Sequence, residues 1–79
     1  MEENQTSLYE LGLGQTATII EVKDAESRTK LLELGCIPGE LIRLDHKTAL
    51  GGPIAVSLSG YKLSMRKNDA QHVLVSPLV

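Results

Sequence analysis

The sequence contains no phenylalanine and no tryptophan, and its only aromatic side chains are those of Tyr9 and Tyr61. A groove for proline-rich peptides needs several aromatic walls, and single-stranded nucleic acids are bound by stacking their bases on aromatic side chains. The lack of aromatic residues therefore argues against both kinds of binding protein. The net charge of −2 also argues against nucleic-acid binding, which depends on clustered cations.

Cysteine is nearly absent as well, since Cys36 is the only one. A single cysteine forms no internal disulfide, and the N-terminal residues do not combine basic residues with an apolar stretch in the manner of a signal peptide. No segment reaches the roughly 18 consecutive apolar residues that a membrane-spanning helix needs. We therefore expect a cytoplasmic protein that reaches a membrane only through a partner.

Recognisable catalytic and metal-binding patterns are also missing. Cys36, His46 and His72 are at least ten residues apart, and none belongs to a pair with the spacing of a zinc site. No nucleophile, base and orienting group form a familiar arrangement. We expect no enzymatic activity, no cofactor and no metal site, although a site shared by Cys36 and a histidine that the fold brings close stays open.

Charge is distributed unevenly along the chain. Residues 1–40 hold eight acidic and three basic side chains, whereas residues 41–79 hold two acidic and five basic ones. Lys62, Ser64 and Arg66 alternate along one predicted strand, with Lys67 beside them. Such a basic stripe is most often a solvated face, but the asymmetry could orient a partner.

Most of the chain has the alternation of apolar and polar residues that is typical of β-strands. Ile54, Val56 and Leu58 are predicted to share one face of their strand, and Tyr61, Leu63 and Met65 to point inward. Ser59 and Gly60 predict a tight hairpin. The predicted strands are residues 15–23, 41–46, 53–58, 61–65 and 72–75, with a polar break at 66–71. Five short strands with one helix predict a small closed β-barrel, because closure removes exposed sheet edges.

A single helical turn and the one helix are both predicted in the first half of the chain. Ser7 and Glu10 have the spacing of a capping box, which indicates a single helical turn ended by Gly12. Asp24 is a suitable N-cap for a longer helix over residues 25–34.

The stretch "LLELGCIPGE" follows this helix and predicts a corner between helix and strand. Gly35 stands where a left-handed residue ends a helix, and in such an ending Cys36 packs against Leu31. Pro38 and Gly39 occupy the central positions of a type II turn. Cys36 is then a small buried apolar residue rather than a metal ligand.

Taken together, "SLYELGLGQTATIIEV", "KLLELGCIPGE" and "LGGPIAVSLSGYKLSMRKNDAQHVLV" closely resemble the ferrous iron transport protein A (FeoA) family over residues 7–76. The most specific part is the L-x-x-L-G-x-x-P-G corner, formed by Leu31, Leu34, Gly35, Pro38 and Gly39. Lys30 departs from the family pattern, which usually has arginine there. Because arginine offers a bidentate fork and lysine a point charge, a contact made through Lys30 would differ from that of the family.

The resemblance implies an SH3-like barrel, which we expect to occupy residues 7–79. The polar residues 1–6, "MEENQT", predict a flexible N-terminus before it. It implies a cytoplasmic accessory of ferrous iron uptake that binds the membrane GTP-binding ferrous iron transporter, ferrous iron transport protein B, without inserting into the membrane itself. The family is also associated with transition metal ion binding. Two alternatives stay open: a regulatory SH3-like domain acting in trans on an iron-dependent repressor, and a small iron carrier.

Five residues are predicted to contact the partner. Leu50 lies in the turn-rich segment "KTALGGP", outside the alternating pattern, and Gly51 and Gly52 would allow a close approach of the backbone. Lys30 and Leu32, on the helix, complete the set. The alternatives for Leu50 are that it plugs one end of the barrel, or that it is one of the isolated apolar residues that protein surfaces tolerate.

Overall fold

The computed structural model describes residues 4–78 of the chain. Within that range it contains every predicted strand and one additional short strand at the N-terminus. The elements are β1 (Thr6–Ser7), β2 (Thr16–Val22), α1 (Ala25–Glu33), β3 (Leu41–Lys47), β4 (Ile54–Leu58), β5 (Tyr61–Met65), α2 (Lys67–Gln71) and β6 (Val73–Pro77). Short 3-10 turns occupy Leu8–Glu10 and Ala49–Gly51.

The strands form one antiparallel sheet in the order β1-β6-β2-β3-β4-β5. Register shifts in β2, between Ile19 and Glu21, and in β3, between Leu44 and His46, mark bulges that help the sheet to curl into a barrel-like shape. The predicted mainly-β fold is confirmed. Over residues 4–78, however, the sheet has six strands rather than five and stays open between β1 and β5.

The hydrophobic core fills the inside of the curled sheet. Ile54, Val56 and Leu58 share the buried face of β4, as predicted. The other buried apolar side chains are those of Leu8, Leu11, Ala17, Ile19, Val22, Leu31, Cys36, Ile42, Leu44, Met65, Ala70, Val73 and Val75.

The antiparallel pairing gives the barrel two distinct ends. The starts of β2 and β4 lie beside the ends of β3, β5 and β6, and we call this the loop end because the β3–β4 loop projects there. The opposite end carries α1 and the β4–β5 hairpin, and we call it the helix end. Helix α2 connects the last residue of β5 at the loop end to the first residue of β6 at the helix end.

Two local predictions near the ends of the chain need correction. The helical turn at Leu8–Glu10 is present, but the Ser7 side chain makes no capping hydrogen bond, so the predicted capping box is wrong. The predicted polar break at 66–71 contains helix α2, in which Asp69 and Ala70 are buried. One buried turn of five residues is too short to show a helical period in the sequence.

The predicted N-terminal segment begins with residues 1–3, which lie outside the described range. Its boundary with the domain stays a prediction. Thr6, on the N-terminal side of that boundary, pairs with Val75 of β6.

Candidate interaction surfaces

The corner after α1 is built as the sequence predicts. The Asp24 carboxylate accepts a hydrogen bond from the Ser27 backbone N–H at 3.0 Å and caps the helix. At the other end, the Cys36 N–H donates to the Leu31 carbonyl at 2.9 Å, and the Gly35 N–H donates to the Leu32 carbonyl at 3.0 Å. These two bonds define a Schellman ending, and Gly35 has the required positive φ of 100°.

A type II turn follows the helix. The Glu40 N–H donates to the Ile37 carbonyl at 3.0 Å across Pro38 and Gly39, and Gly39 has a φ of 97°. The turn is fixed to the barrel because the Gly39 N–H donates to the carbonyl of Ile19 in β2 at 2.8 Å.

Tyr61 holds this corner in place from the first position of β5. Its hydroxyl donates a hydrogen bond to the Leu34 carbonyl, one of the carbonyls left without a partner at the end of the helix. The prediction that Tyr61 points inward is wrong, since 45% of the residue is exposed. Further along β5, Leu63 is partly buried and Met65 is buried.

The helix end exposes an apolar surface around this corner. Five large apolar side chains remain at least about one third exposed there: Leu32, Leu34, Ile37, Leu41 and Tyr61. Beside them lies a shallow cavity of about 180 Å³, lined by Glu21, Val22, Arg28, Leu32 and Pro38. The predicted contact residue Leu32 therefore lies at the rim of an apolar depression, which is a suitable shape for a partner's side chain.

Lys30, the second predicted contact on α1, is paired within the protein. Its ammonium lies 2.9 Å from the carboxylate of Asp69 in α2. The hydrogen bond from Lys30 outweighs burial and lowers the pKa of Asp69 below its usual value, with further help from Ser27. The Ser27 hydroxyl lies 3.0 Å from oxygens of both Asp69 and Asp24. This network fastens α1 to α2, while the Lys30 side chain remains 54% exposed.

The predicted contact residues Leu50, Gly51 and Gly52 lie at the loop end. Leu50 is fully exposed (103%) and has the left-handed backbone angles φ 63° and ψ 33°. Its side chain does not plug the barrel. Because the left-handed region is disfavoured for leucine, the tight β3–β4 connection imposes a backbone cost at this position.

Two lysines flank this loop and converge on one aromatic ring. The ammonium of Lys47 lies 4.8 Å, and that of Lys67 5.4 Å, from the centre of the Tyr9 ring. These are cation–π distances. A Cβ added to Gly51 would lie 3.3 Å from the Lys67 ammonium, which shows how close the start of α2 is to the loop.

The structure thus places the predicted contacts at opposite ends of the barrel. Lys30 and Leu32 lie at the helix end, and Leu50 with its glycines at the loop end. Helix α2 is next to both groups, through Asp69 at one end and Lys67 at the other. Sequence reasoning missed Ile37 and Leu41, although their position around the Pro-Gly turn could have suggested exposure.

The cysteine and the histidines do not assemble into a site in the part of the chain that the structure describes. Cys36 is fully buried, and burial raises the pKa of its thiol to about 11. Over residues 4–78, no three His, Cys, Asp or Glu side chains are grouped so that they could hold a metal ion. No helix among these residues is long and apolar enough to cross a membrane.

Comparisons with known proteins give a consistent assignment. The model of the FeoA domain family matches residues 6–77. A FeoA-like protein from Clostridium acetobutylicum is 32% identical, with a TM-score of 0.87 over 100% of this chain and 92% of its own. The zinc complex of FeoA from Stenotrophomonas maltophilia is 29% identical, with a TM-score of 0.79 over 90% of this chain and 89% of its own. That protein is described as a procaryotic SH3 domain protein and a suggested activating factor of ferrous iron transport.

The same fold occurs in a second class of protein. A manganese-dependent transcriptional repressor reaches a TM-score of 0.88 over 99% of this chain and 44% of its own, at 19% identity. This likeness shows a shared SH3-like fold. Among curated proteins, no significant match was found.

Proposed function

The chain belongs to the FeoA family, which is linked to ferrous iron transport, and we propose that it is a non-catalytic accessory of ferrous iron uptake. In this role it works in the cytoplasm and binds the cytoplasmic part of the membrane GTP-binding ferrous iron transporter, ferrous iron transport protein B. The family match over residues 6–77 is the observation that carries the proposal.

The exposed leucine at the loop end supports a binding role. Leu50 projects its whole side chain into solvent from a loop held between two paired strands, β3 and β4. A residue other than glycine held in the left-handed region, as Leu50 is, is more common at functional sites than elsewhere. Because both ends of this loop are tied to paired strands, its backbone has little freedom to lose on binding, and the exposed leucine is a suitable anchor for a partner's pocket.

The helix end offers a second set of apolar contacts. Leu32 borders the cavity beside α1, and Leu34 and Ile37 extend the apolar surface across the corner. Lys30 is held by Asp69 yet is half exposed, so it could donate a further hydrogen bond to a partner without leaving that ion pair.

Variants of the loop test the proposal against the purified cytoplasmic part of the transporter. Leu50→Glu should weaken binding at least about tenfold, the roughly 1.4 kcal/mol expected from losing one modest apolar anchor. Leu50→Met keeps an apolar side chain and should bind nearly as well as wild type. Both variants should melt close to wild type, because Leu50 packs on nothing in the core.

A matched control separates Leu50 from the general charge of the loop end. Leu13 is also exposed (68%) and lies in the loop that precedes β2 at the same end. Leu13→Glu introduces the same charge without touching Leu50. If the two glutamate variants weaken binding equally, the contact belongs to the whole end of the barrel, and if Leu50→Glu binds like wild type, Leu50 is not an anchor.

A further inference from the structure

Strand β5 forms one open edge of the sheet, and the hairpin before it determines which backbone groups face outward. Ser59 (φ 48°) and Gly60 (φ 87°) form a two-residue type I′ loop. In such a hairpin the residues next to the loop, Leu58 and Tyr61, exchange backbone hydrogen bonds, and every second pair along the ladder does the same. Lys62 and Ser64 therefore direct their N–H and C=O groups away from β4.

These outward groups have no partner within the described chain. Lys62 lies opposite Ser57 and Ser64 lies opposite Ala55 on β4, and both are non-hydrogen-bonded positions of the ladder. Among residues 4–78, β5 has no strand on its other side, and no loop or turn backbone hydrogen bond involves Lys62 or Ser64. Both residues are exposed, and the Lys62 side chain is 74% accessible. Two donors and two acceptors at alternate residues form a ready template for one more strand.

The charges along this edge indicate what kind of strand it would accept. Lys62, Arg66 and Lys67 supply three cations in and just after β5, and no acidic residue lies between positions 61 and 67. Asp45, the carboxylate near Lys62, is 3.7 Å from its ammonium and is already bonded to Arg43 and Ser57. The edge therefore keeps a net positive potential, which favours an acidic segment.

We infer that the β5 edge binds an extended acidic segment of the partner by β-strand addition, through the outward backbone groups of Lys62 and Ser64. The inference rests on the proposed function, because it takes that segment to belong to the cytoplasmic part of the transporter. Backbone hydrogen bonds hold the added strand against β5. Acidic side chains two residues apart on the added strand then lie on the same face of the sheet as the basic stripe of Lys62, Ser64 and Arg66.

A second copy of this chain is a poorer occupant of the same edge. Two β5 strands paired edge to edge would bring Lys62, and Arg66 just after the strand, close to the same residues of the second copy. Like charges opposite each other are destabilising in such pairs, and lysine on an edge strand is a common protection against self-association.

Proline at position 64 tests the backbone contact directly. Ser64→Pro removes the outward N–H, while Leu63 and Met65 keep their hydrogen bonds to β4. Proline is tolerated at this position because the N–H of an edge strand faces solvent there. Ser64→Ala removes the same hydroxyl and keeps the N–H, so it is the matched control. We expect binding of the transporter's cytoplasmic part to weaken about tenfold or more with Ser64→Pro and to stay within about twofold with Ser64→Ala.

The charge contribution is tested in the same binding assay. Lys62→Glu should weaken binding severalfold at low salt, and the difference from wild type should shrink as the ionic strength rises. Equal affinities at all salt concentrations would contradict an acidic occupant.

Amide hydrogen exchange of the wild-type chain provides a measurement that does not depend on a variant's fold. On binding, the amides of Lys62 and Ser64 should become protected, whereas that of Leu63, already bonded within the sheet, should change less. Binding without this protection, or with equal affinity for the proline and alanine variants, would overturn the inference and leave the proposed function intact.

Two other outcomes would also overturn it. If the cytoplasmic part does not bind wild type at all, the proposed function fails and this inference fails with it. If Lys62 and Ser64 become protected as the concentration of the chain alone is raised, the occupant is a second copy and not an acidic segment.

Discussion

Replacing Gly35 by alanine should destabilise the fold through two separable contributions. Gly35 has a φ of 100°, where a side chain costs about 1–2 kcal/mol. An added Cβ would also overlap the hydroxyl oxygen of Tyr61, while its distances to Leu58 Cδ2 (3.4 Å) and Tyr61 Cζ (3.5 Å) would be tolerable. Tyr61 would have to move, and its hydrogen bond to Leu34, worth about 1 kcal/mol, would be lost.

The expected total for Gly35→Ala is thus about 2–3 kcal/mol. For a domain of this size 1 kcal/mol corresponds to about 4–8 °C in Tm, so the variant should melt roughly 10–20 °C lower. Tyr61→Phe alone removes the hydroxyl and should cost up to about 1 kcal/mol. In the Tyr61→Phe background, Gly35→Ala should cost only the backbone contribution of about 1–2 kcal/mol, because the overlapping oxygen is gone.

A double-mutant cycle measured by chemical denaturation checks this reasoning. The four proteins should give a coupling energy of about 1 kcal/mol, with the double variant more stable than the sum of the single effects predicts. If Gly35→Ala costs the same in both backgrounds, Tyr61 does not restrict this position. If Gly35→Ala melts at the same temperature as wild type, neither the positive φ of Gly35 nor its contact with Tyr61 limits the side chain at this position.

Three further predictions concern other parts of the structure. Because burial raises the pKa of Cys36 to about 11, its thiol should react slowly with a disulfide reagent at pH 8 and quickly in denaturant, and rapid reaction of the native chain would contradict this burial. Cys36→Ala should leave partner binding unchanged. Asp69 has a lowered pKa in the folded state, so its contribution to stability is present above the unfolded-state pKa of about 3.9 and is lost as the pH falls through the lower folded pKa. Asp69→Asn should remove this part of the acid dependence of stability. The prediction is refuted if the stability of the variant, measured by unfolding between pH 2 and pH 6, about two units on either side of the unfolded pKa, keeps the wild-type slope against pH. Ser59→Asn should raise Tm by a few degrees, because asparagine adopts the positive φ of this position more readily than serine. An unchanged or lower Tm would show that the lost hydrogen bond from Ser59 to Glu40 contributes at least as much stability as the better backbone fit.

The local structure that was predicted correctly has strong short-range causes. The ending of α1 follows from Gly35 at C′, and the turn after it follows from Pro38 and Gly39, because each requires a backbone conformation that few other residues adopt. The buried face of β4 follows from its strict alternation. These features depend on residues close together in the sequence.

The incorrect predictions depend on contacts between distant segments. Tyr61 occupies an inward position in the alternating pattern of its strand. Its hydroxyl, however, donates a hydrogen bond to the carbonyl of Leu34, 27 residues earlier, and the ring stays at the surface. Asp69 is a charged residue whose burial requires Lys30 and Ser27 from another helix. The open edge of β5 could not be predicted either, because whether a curled sheet closes depends on the lengths and positions of all its strands.

The candidate contact residues show the same division. The exposure of Leu50 was proposed from its turn-rich neighbourhood and is seen in the structure. Its separation from Lys30 and Leu32, at the opposite end of the barrel, follows from the strand pairing and is not visible in the sequence. The role of all five residues in binding a partner stays a prediction.

Calorimetric titration of the wild-type chain into the purified cytoplasmic part of the ferrous iron transporter, with and without guanine nucleotide, tests the central claim most directly. The account predicts saturable binding with a defined stoichiometry in at least one nucleotide state. The absence of binding in every nucleotide state, with both proteins shown to be folded, would contradict it.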